Sequence, residues 1–170
     1  MHSDRPDSHA FSMADVSAKP VTRRRALAVG RIHIGAEAFE RLREGRLPKG
    51  DPLAMAEIVG MQAAKRTPSL LPLCHPLPLN RVTIHSVPQA ETQAIEIYAL
   101  AEAEARTGVE MEALCGVSVA LMAVWDLLKP VNPALEVGGV RLLYKEGGKQ
   151  GRWVHPDGMP PAAQALLDAD

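Results

Sequence analysis

The sequence predicts an α+β fold of the split βαβ type, in which helices cover one face of an antiparallel sheet. Alternating apolar residues mark extended segments at 21–34, 81–101 and 137–144. Two helical stretches separate these segments, and the second is apolar nearly all round between residues 113 and 125. The predicted order is therefore one strand, two helices, two strands, one long helix and one strand.

Size and composition are those of one domain. A chain of 170 residues, 46% of them hydrophobic, buries roughly 70% of its unfolded surface. Two distant cysteines do not form a disulfide framework, so a reducing cytoplasm is expected. Residues 1–12 lack the apolar core of a signal peptide and are expected to form a disordered leader, whereas residues 152–170 form a C-terminal tail.

The charge balance argues against large anionic partners. A net charge of −1 gives no general attraction to nucleic acid or to a membrane surface. The longest apolar stretch, residues 113–128, is too short to span a bilayer and contains Asp126 near its end. We expect a soluble protein that meets any anion in a local pocket.

The first half is expected to contain a strand over 21–34 and two helices. The apolar residues that alternate on one face of the strand are Ala26, Ala28, Ile32 and Ile34. A short helix follows over 36–44. Asp51 should cap a second helix that starts at Pro52 and ends near Lys65.

A proline-rich run, PSLLPLCHPLPL at 68–79, follows the second helix. Its four prolines remove backbone donors and fix φ, so the run should be a stiff, extended loop. It presents Cys74 and His75, the chain's only adjacent Cys–His pair. The loop is either part of a ligand site or a connector whose leucines cover a core edge.

The second half is expected to contain an antiparallel strand pair, a buried helix, a last strand and a short terminal helix. Their predicted ranges are 81–87, 92–101, 108–128, 137–144 and 162–167. The two strands should join across Pro88. A sheet with helices on one face leaves the other face bare unless another chain covers it, so a homo-oligomer is expected.

Several charged residues occur in patterns with two interpretations. Glu110 and Glu112, in TGVEMEAL, either follow the preference of acidic residues for a helix start or accept hydrogen bonds from a guanine-like N–H edge. Asp126 and Lys129 form either an exposed i, i+3 pair or a partly desolvated one that tunes Lys129 for proton transfer.

The glycine-rich turns allow similar alternatives. KEGGKQG at 145–151 can wrap phosphates with backbone N–H groups, although it lacks P-loop spacing. Lys49, just before the second helix, would favour an anion at the helix start, but an ordinary capped helix explains KGDPLA equally well. Cys74, His75 and Cys115 would ligate zinc only if loop and helix converge.

Taken together, these motifs closely resemble the cyclic pyranopterin monophosphate synthase family, protein C of molybdenum cofactor biosynthesis. The resemblance spans about residues 13–151 and is most specific in LCHPLPL and TGVEMEAL. The segments that carry it are MADVSAKPVTRR (13–24), KGDPLA (49–54), QAAKRTP (62–68), LLPLCHPLPL (70–79), TGVEMEAL (107–114), the segment from 126 to 129 and VRLLYKEGGKQG (140–151).

The resemblance implies a ferredoxin-like fold and one catalytic domain over 13–151. It also implies a homohexamer, a trimer of dimers, with active sites at subunit interfaces. The implied enzyme is a phosphorus–oxygen lyase that converts a cyclised 7,8-dihydro-GTP into cyclic pyranopterin monophosphate and pyrophosphate. It implies no cofactor and no metal.

The resemblance also assigns residues by motif match. Implied catalytic residues are Asp126, Lys129 and Lys145. Implied substrate-binding residues are Lys49, Cys74, His75, Glu110, Glu112 and Lys149. Three positions depart from the family pattern, namely Ala105, Gly139 and Glu146; a carboxylate at 146 would repel phosphate if it pointed inward.

Two other functions remain open from the residues alone. One is a zinc-dependent enzyme similar to GTP cyclohydrolase, with Cys74, His75 and Cys115 around a metal-bound water. The other is a non-catalytic, nucleotide-sensing oligomer, because fold alone does not determine function.

Overall fold

A computed structural model of the chain describes residues 11–169. The leader expected over residues 1–12 lies almost entirely outside the described residues. The strands are β1 Thr22–His33, β2 Leu79–Gln89, β3 Ala94–Ala105, β4 Glu136–Glu146 and β5 Trp153–Val154. The helices are α1 Gly35–Arg43, α2 Pro52–Lys65, α3 Thr67–Leu70, α4 Glu110–Leu128 and α5 Pro161–Asp168.

The strands form one antiparallel sheet in the order β2-β3-β1-β4-β5. Strand β1 lies at the centre and pairs with β3 from Thr22–Ala105 to His33–Ala94. The order of β1 to β4, with α2 and α4 as crossover helices, is that of a ferredoxin-like sheet. The predicted fold class is confirmed.

The main core lies between the sheet and helices α2 and α4. Ala28 and Ile32 of β1 are fully buried with Val117 and Leu121 of α4. The predicted cap of α2 is present, since the Asp51 carboxylate accepts hydrogen bonds from the first backbone N–H groups of the helix. This packing fixes both ends of α4 relative to the sheet.

The opposite face of the sheet is covered in part by α5. Ala163 and Leu167 of this helix are buried against that face. The Arg25 guanidinium donates to the Leu167 carbonyl at 2.9 Å and to the Glu102 carboxylate at 2.9 Å. This face was expected to be bare within the chain, and that expectation is wrong for the area under α5. Leu27 and Val29 of β1 are apolar on this side too, and α5 packs against them.

Helix α4 is, among residues 11–169, the one helix long and apolar enough to cross a membrane by length and composition. It packs against β1, β3 and α2, and half of its apolar window is buried in the protein. These contacts are those of a core helix.

Several boundaries differ from the sequence prediction, and strand β5 lies in the segment that was predicted as a C-terminal tail. Residues 68–70 belong to α3, because a proline in the first helical turn loses no hydrogen bond. Strand β2 continues through Pro88, since an edge strand needs donors on one side only. Strand β3 continues to Ala105 because β1 pairs with it along its whole length.

Candidate active site

A cleft of about 620 Å³ opens at the end of the sheet, between the β4–β5 turn and the start of α4. Two glutamates and six cationic residues line it. The cationic residues are Lys19, Arg24, Arg25, Arg106, Lys145 and Lys149. Because the whole chain carries a net charge of only −1, this positive charge is local, and it favours an anionic ligand in the cleft.

The turn after β4 forms one wall of the cleft. Gly147 and Gly148 have φ values of +112° and +72°, which residues with a Cβ rarely adopt. A Cβ on Gly147 would lie 2.8 Å from Cδ of Arg24, and one on Gly148 would lie 2.9 Å from Cζ of Arg24. The two glycines therefore allow the turn to lie directly against Arg24.

Lys145 and Glu110 meet inside this cleft. The Lys145 Nζ lies 3.2 Å from Glu110 Oε1 and 3.5 Å from the side-chain oxygen of Gln150. Both members of the ion pair keep roughly a third of their side-chain surface in solvent, so a ligand can reach them. The cleft thus joins the predicted catalytic Lys145 with two predicted substrate-binding residues, Glu110 and Lys149.

Two side chains hold the N-terminal segment beside the cleft. Arg106 donates to the carbonyls of Ser17 and Lys19, the latter at 3.0 Å. His75 Nε2 donates to the Ala14 carbonyl at 2.8 Å. His75 thus contacts the segment that carries Lys19 and does not line the cleft itself.

Glu112 is buried at the start of α4. Its side chain is 3% exposed, and its Oε2 has no hydrogen-bond partner among the described residues. Burial raises the pKa of Glu112, a hydrogen bond from its own backbone opposes the rise, and the Glu110 charge adds to it. A buried, unpaired carboxyl oxygen is expected to have a partner in the functional state.

Cys74 lies near Glu112. Burial raises the pKa of the Cys74 thiol, and the charges of Glu112 and Cys115 add to the rise. The thiol is therefore neutral near pH 7 and acts as a small apolar group.

A second cluster lies at the other end of α4. Asp126 accepts hydrogen bonds from Lys129 at 2.7 Å and from Lys49 at 3.1 Å. These bonds, Lys129's first, lower the pKa of Asp126. The side chains of Asp126 and Lys129 are 53% and 54% exposed, so within one chain they form the exposed i, i+3 pair, the first of the two interpretations.

The first cluster, formed by Lys145 and Glu110 in the cleft, lies far from the second cluster around Asp126. Glu110 and Asp126 stand near opposite ends of α4, which at 1.5 Å per residue separates them by about 24 Å along the helix axis. A single chain therefore does not bring Asp126, Lys129 and Lys145 into one site.

The residues of the zinc-dependent alternative do not form a metal site. Within residues 11–169, no three His, Cys, Asp or Glu side chains are grouped so that they could hold a metal ion. Cys74 and Cys115 are free thiols, and His75 is bonded to the Ala14 carbonyl. The zinc-dependent alternative has no ligand set in this part of the chain.

Glu146, which departs from the family pattern, points away from Lys145. Glu146 borders the cleft, but its carboxylate accepts a hydrogen bond from the Tyr144 hydroxyl at 2.6 Å. Residues two apart on a strand share a face, so Glu146 lies on the opposite side of β4 from Lys145. Gly139 has a φ of +63°, a conformation that suits glycine better than aspartate.

Sequence reasoning missed four cationic residues of the cleft, namely Lys19, Arg24, Arg25 and Arg106. The three consecutive arginines at 23–25 were a usable signal. Arg24 is two residues before Ala26, whose side chain lies in the main core, so strand alternation alone places Arg24 on the helix-covered face.

The fold and the cleft define a ferredoxin-like α+β protein with a cationic cleft that suits an anionic small molecule. The chain belongs to the MoaC family, whose model matches residues 13–148. The family resemblance read from the sequence is confirmed.

Several named proteins are similar to this chain. A cyclic pyranopterin monophosphate synthase of Thermomicrobium roseum is 46% identical over 85% of this chain and 87% of its own length. The protein of that name from Cereibacter sphaeroides is 44% identical over 86% and 92%. A molybdenum cofactor biosynthesis bifunctional protein of Synechococcus elongatus is 47% identical over 89% of this chain, which spans 47% of that longer protein.

Proposed function

We propose that this chain is a cyclic pyranopterin monophosphate synthase acting in molybdenum cofactor biosynthesis. The reaction converts a cyclised 7,8-dihydro-GTP into cyclic pyranopterin monophosphate and pyrophosphate. The observation that carries the proposal is the cationic cleft in which Lys145 meets Glu110 beside the glycine turn. Relatives with this activity in their names match 85–86% of the chain.

The cleft suits the phosphates of such a substrate. Lys19, Arg24, Lys145 and Lys149 surround the space, and the turn at Gly147 and Gly148 adds backbone N–H groups. Pyrophosphate leaves as the bond between the α- and β-phosphates breaks, and the cations neutralise the charge that develops on it. Glu110 and the unpaired Oε2 of Glu112 are acceptors for the N–H edge of the guanine-derived ring.

The proposed acid–base residues belong to the second cluster, formed by Asp126, Lys49 and Lys129. The attacking hydroxyl loses its proton as the cyclic phosphate forms, and ring rearrangement moves further protons. Asp126 holds the ammonium groups of Lys49 and Lys129 within 3.1 Å of its oxygens. In the proposed roles Lys129 transfers protons, Asp126 orients it, and Lys49 contacts phosphate.

The proposed active unit contains more than one chain. The two clusters lie about 24 Å apart along α4, so a complete site needs the far end of α4 from a second subunit. The outer face of the helices also exposes apolar side chains, as contact between subunits requires. These are Met55, Ile58, Met111 and Met122. The homohexamer, a trimer of dimers in the cytoplasm, fits this arrangement.

Turnover is the direct test. Purified protein is incubated with the cyclised dihydro-GTP, and pyrophosphate and the cyclic product are measured. Lys129→Ala and Lys145→Ala should each lower turnover by roughly 100-fold or more, with unchanged circular dichroism. Arg43→Ala is the matched control, since Arg43 is exposed at the end of α1 and pairs with Glu40, which belongs to neither cluster. Binding without pyrophosphate release by the wild type would favour the nucleotide sensor instead.

A further inference from the structure

Strand β5 places an aromatic ring beside the cleft. Trp153 is the register partner of Lys145 on β4, and register partners point to the same face with Cβ atoms about 4.5–5.5 Å apart. Lys145 points into the cleft, where it contacts Glu110. Tyr144 and Val154, the next pair along, lie on the opposite face among the residues under α5. Trp153 therefore stands on the cleft side of the sheet.

The ring is held at one edge and open elsewhere. His155 contacts Trp153 edge to face, with ring centroids 6.0 Å apart and an interplanar angle of 80°. His155 is itself oriented, because its Nδ1 accepts a hydrogen bond from the Asp157 backbone N–H. Trp153 nevertheless remains 38% exposed, which leaves part of the ring available to a ligand.

The cleft lacks a surface for the flat part of a nucleotide. Its lining, in the described part of the chain, consists of charged, polar, glycine and proline residues and contains no aromatic ring. Phe39, Tyr98 and Tyr144 are buried elsewhere. A planar heterocycle gains about 1–3 kcal/mol by stacking on an aromatic side chain.

We propose that Trp153 is a further substrate-binding residue, which stacks on the bicyclic ring of the nucleotide-derived substrate while Lys145 and the glycine turn hold its phosphates. This inference rests on the proposed function and deepens it. It assigns a role to a residue that lies beyond the family match, which ends at residue 148.

Tryptophan fluorescence can report on Trp153 alone. The chain has two tryptophans, so in Trp125→Phe the emission comes from Trp153 alone. GTP should change this emission, whereas inorganic triphosphate, which carries the charge without a ring, should not. If Trp125→Phe does not fold, the difference between wild-type and Trp153→Phe spectra gives the same readout.

Calorimetric binding separates stacking from charge. Trp153→Ala should weaken GTP binding by about tenfold and triphosphate binding by less than about twofold, whereas Trp153→Phe keeps most of the GTP affinity. Lys145→Ala should weaken the binding of both ligands.

Three results would overturn the inference. They are unchanged GTP affinity in Trp153→Ala, equal loss for GTP and triphosphate, or emission that GTP does not alter. Pyrophosphate release by the wild type would then still support the proposed function. Conversely, GTP-dependent emission in a protein that never releases pyrophosphate would support stacking and reject the synthase.

Discussion

The buried carboxyl group of Glu112 is expected to destabilise the folded chain at neutral pH. Its side chain is 3% exposed, and Oε2 has no hydrogen-bond partner among the described residues. Leaving such a group unpaired costs about 1–3 kcal/mol, and more when it is charged. Glu112→Gln keeps the shape and removes the charge, so it should raise the free energy of unfolding by about 1–3 kcal/mol at pH near 8.

The direction of the pH dependence follows from the shifted pKa. Burial raises the pKa of Glu112 above its usual value of 4.5. The folded state therefore binds more protons than the unfolded state above that value, and wild-type stability falls as pH rises through the window up to the raised pKa. Below the usual pKa the carboxyl is protonated in both states. The advantage of Glu112→Gln should therefore disappear near pH 4.

Urea denaturation at both pH values, at one protein concentration and without ligand, measures this difference. Glu110→Gln is the matched control, because Glu110 is partly exposed and paired with Lys145, so its loss should not stabilise the protein. The reasoning is refuted if Glu112→Gln is less stable than the wild type near pH 8, or if its effect is the same at both pH values.

Three further predictions concern the proline-rich loop and α5. Cys74→Ser should keep substantial turnover because the thiol is neutral and acts by packing. His75→Ala should lose most turnover and bind a triphosphate analogue more weakly, since it releases the segment held through the Ala14 carbonyl; wild-type activity in His75→Ala, or stoichiometric zinc in the wild type, would count against this. Leu167→Ala should lower the free energy of unfolding by about 2–5 kcal/mol in urea, unlike exposed Gln164→Ala. Equal effects of the two would show that α5 does not stabilise the fold.

Local patterns were sufficient for the main elements of the fold. Strand β1, the capped helix α2 and the apolar helix α4 lie within two residues of their predicted ends, because each has a periodicity or a cap that depends on nearby residues only. The packing of α5 on the second face depends on contacts of Leu167 with strands far away in sequence. No local pattern in a short terminal helix reveals such contacts.

The sequence was sufficient to predict which residues belong to the site, but not how they are arranged in space. The motifs identified Lys145, Glu110 and Lys149, which do meet in one cleft. The predicted helix over 108–128 placed Glu110 and Lys129 at its opposite ends, but spacing along the chain did not reveal that Lys145 lies beside Glu110. Arg106 was missed since its role is to hold the backbone of Ser17 and Lys19.

Subunit mixing tests most directly whether Lys129 and Lys145 act in one site supplied by two chains. Lys129→Ala and Lys145→Ala subunits are unfolded and refolded together in equal amounts, and pyrophosphate release is compared with that of each variant refolded alone. Random assembly leaves both lysines intact in about a quarter of such shared sites. We predict that the mixture recovers about a quarter of wild-type turnover while each variant alone stays inactive. A mixture as inactive as its components would contradict a site shared between chains.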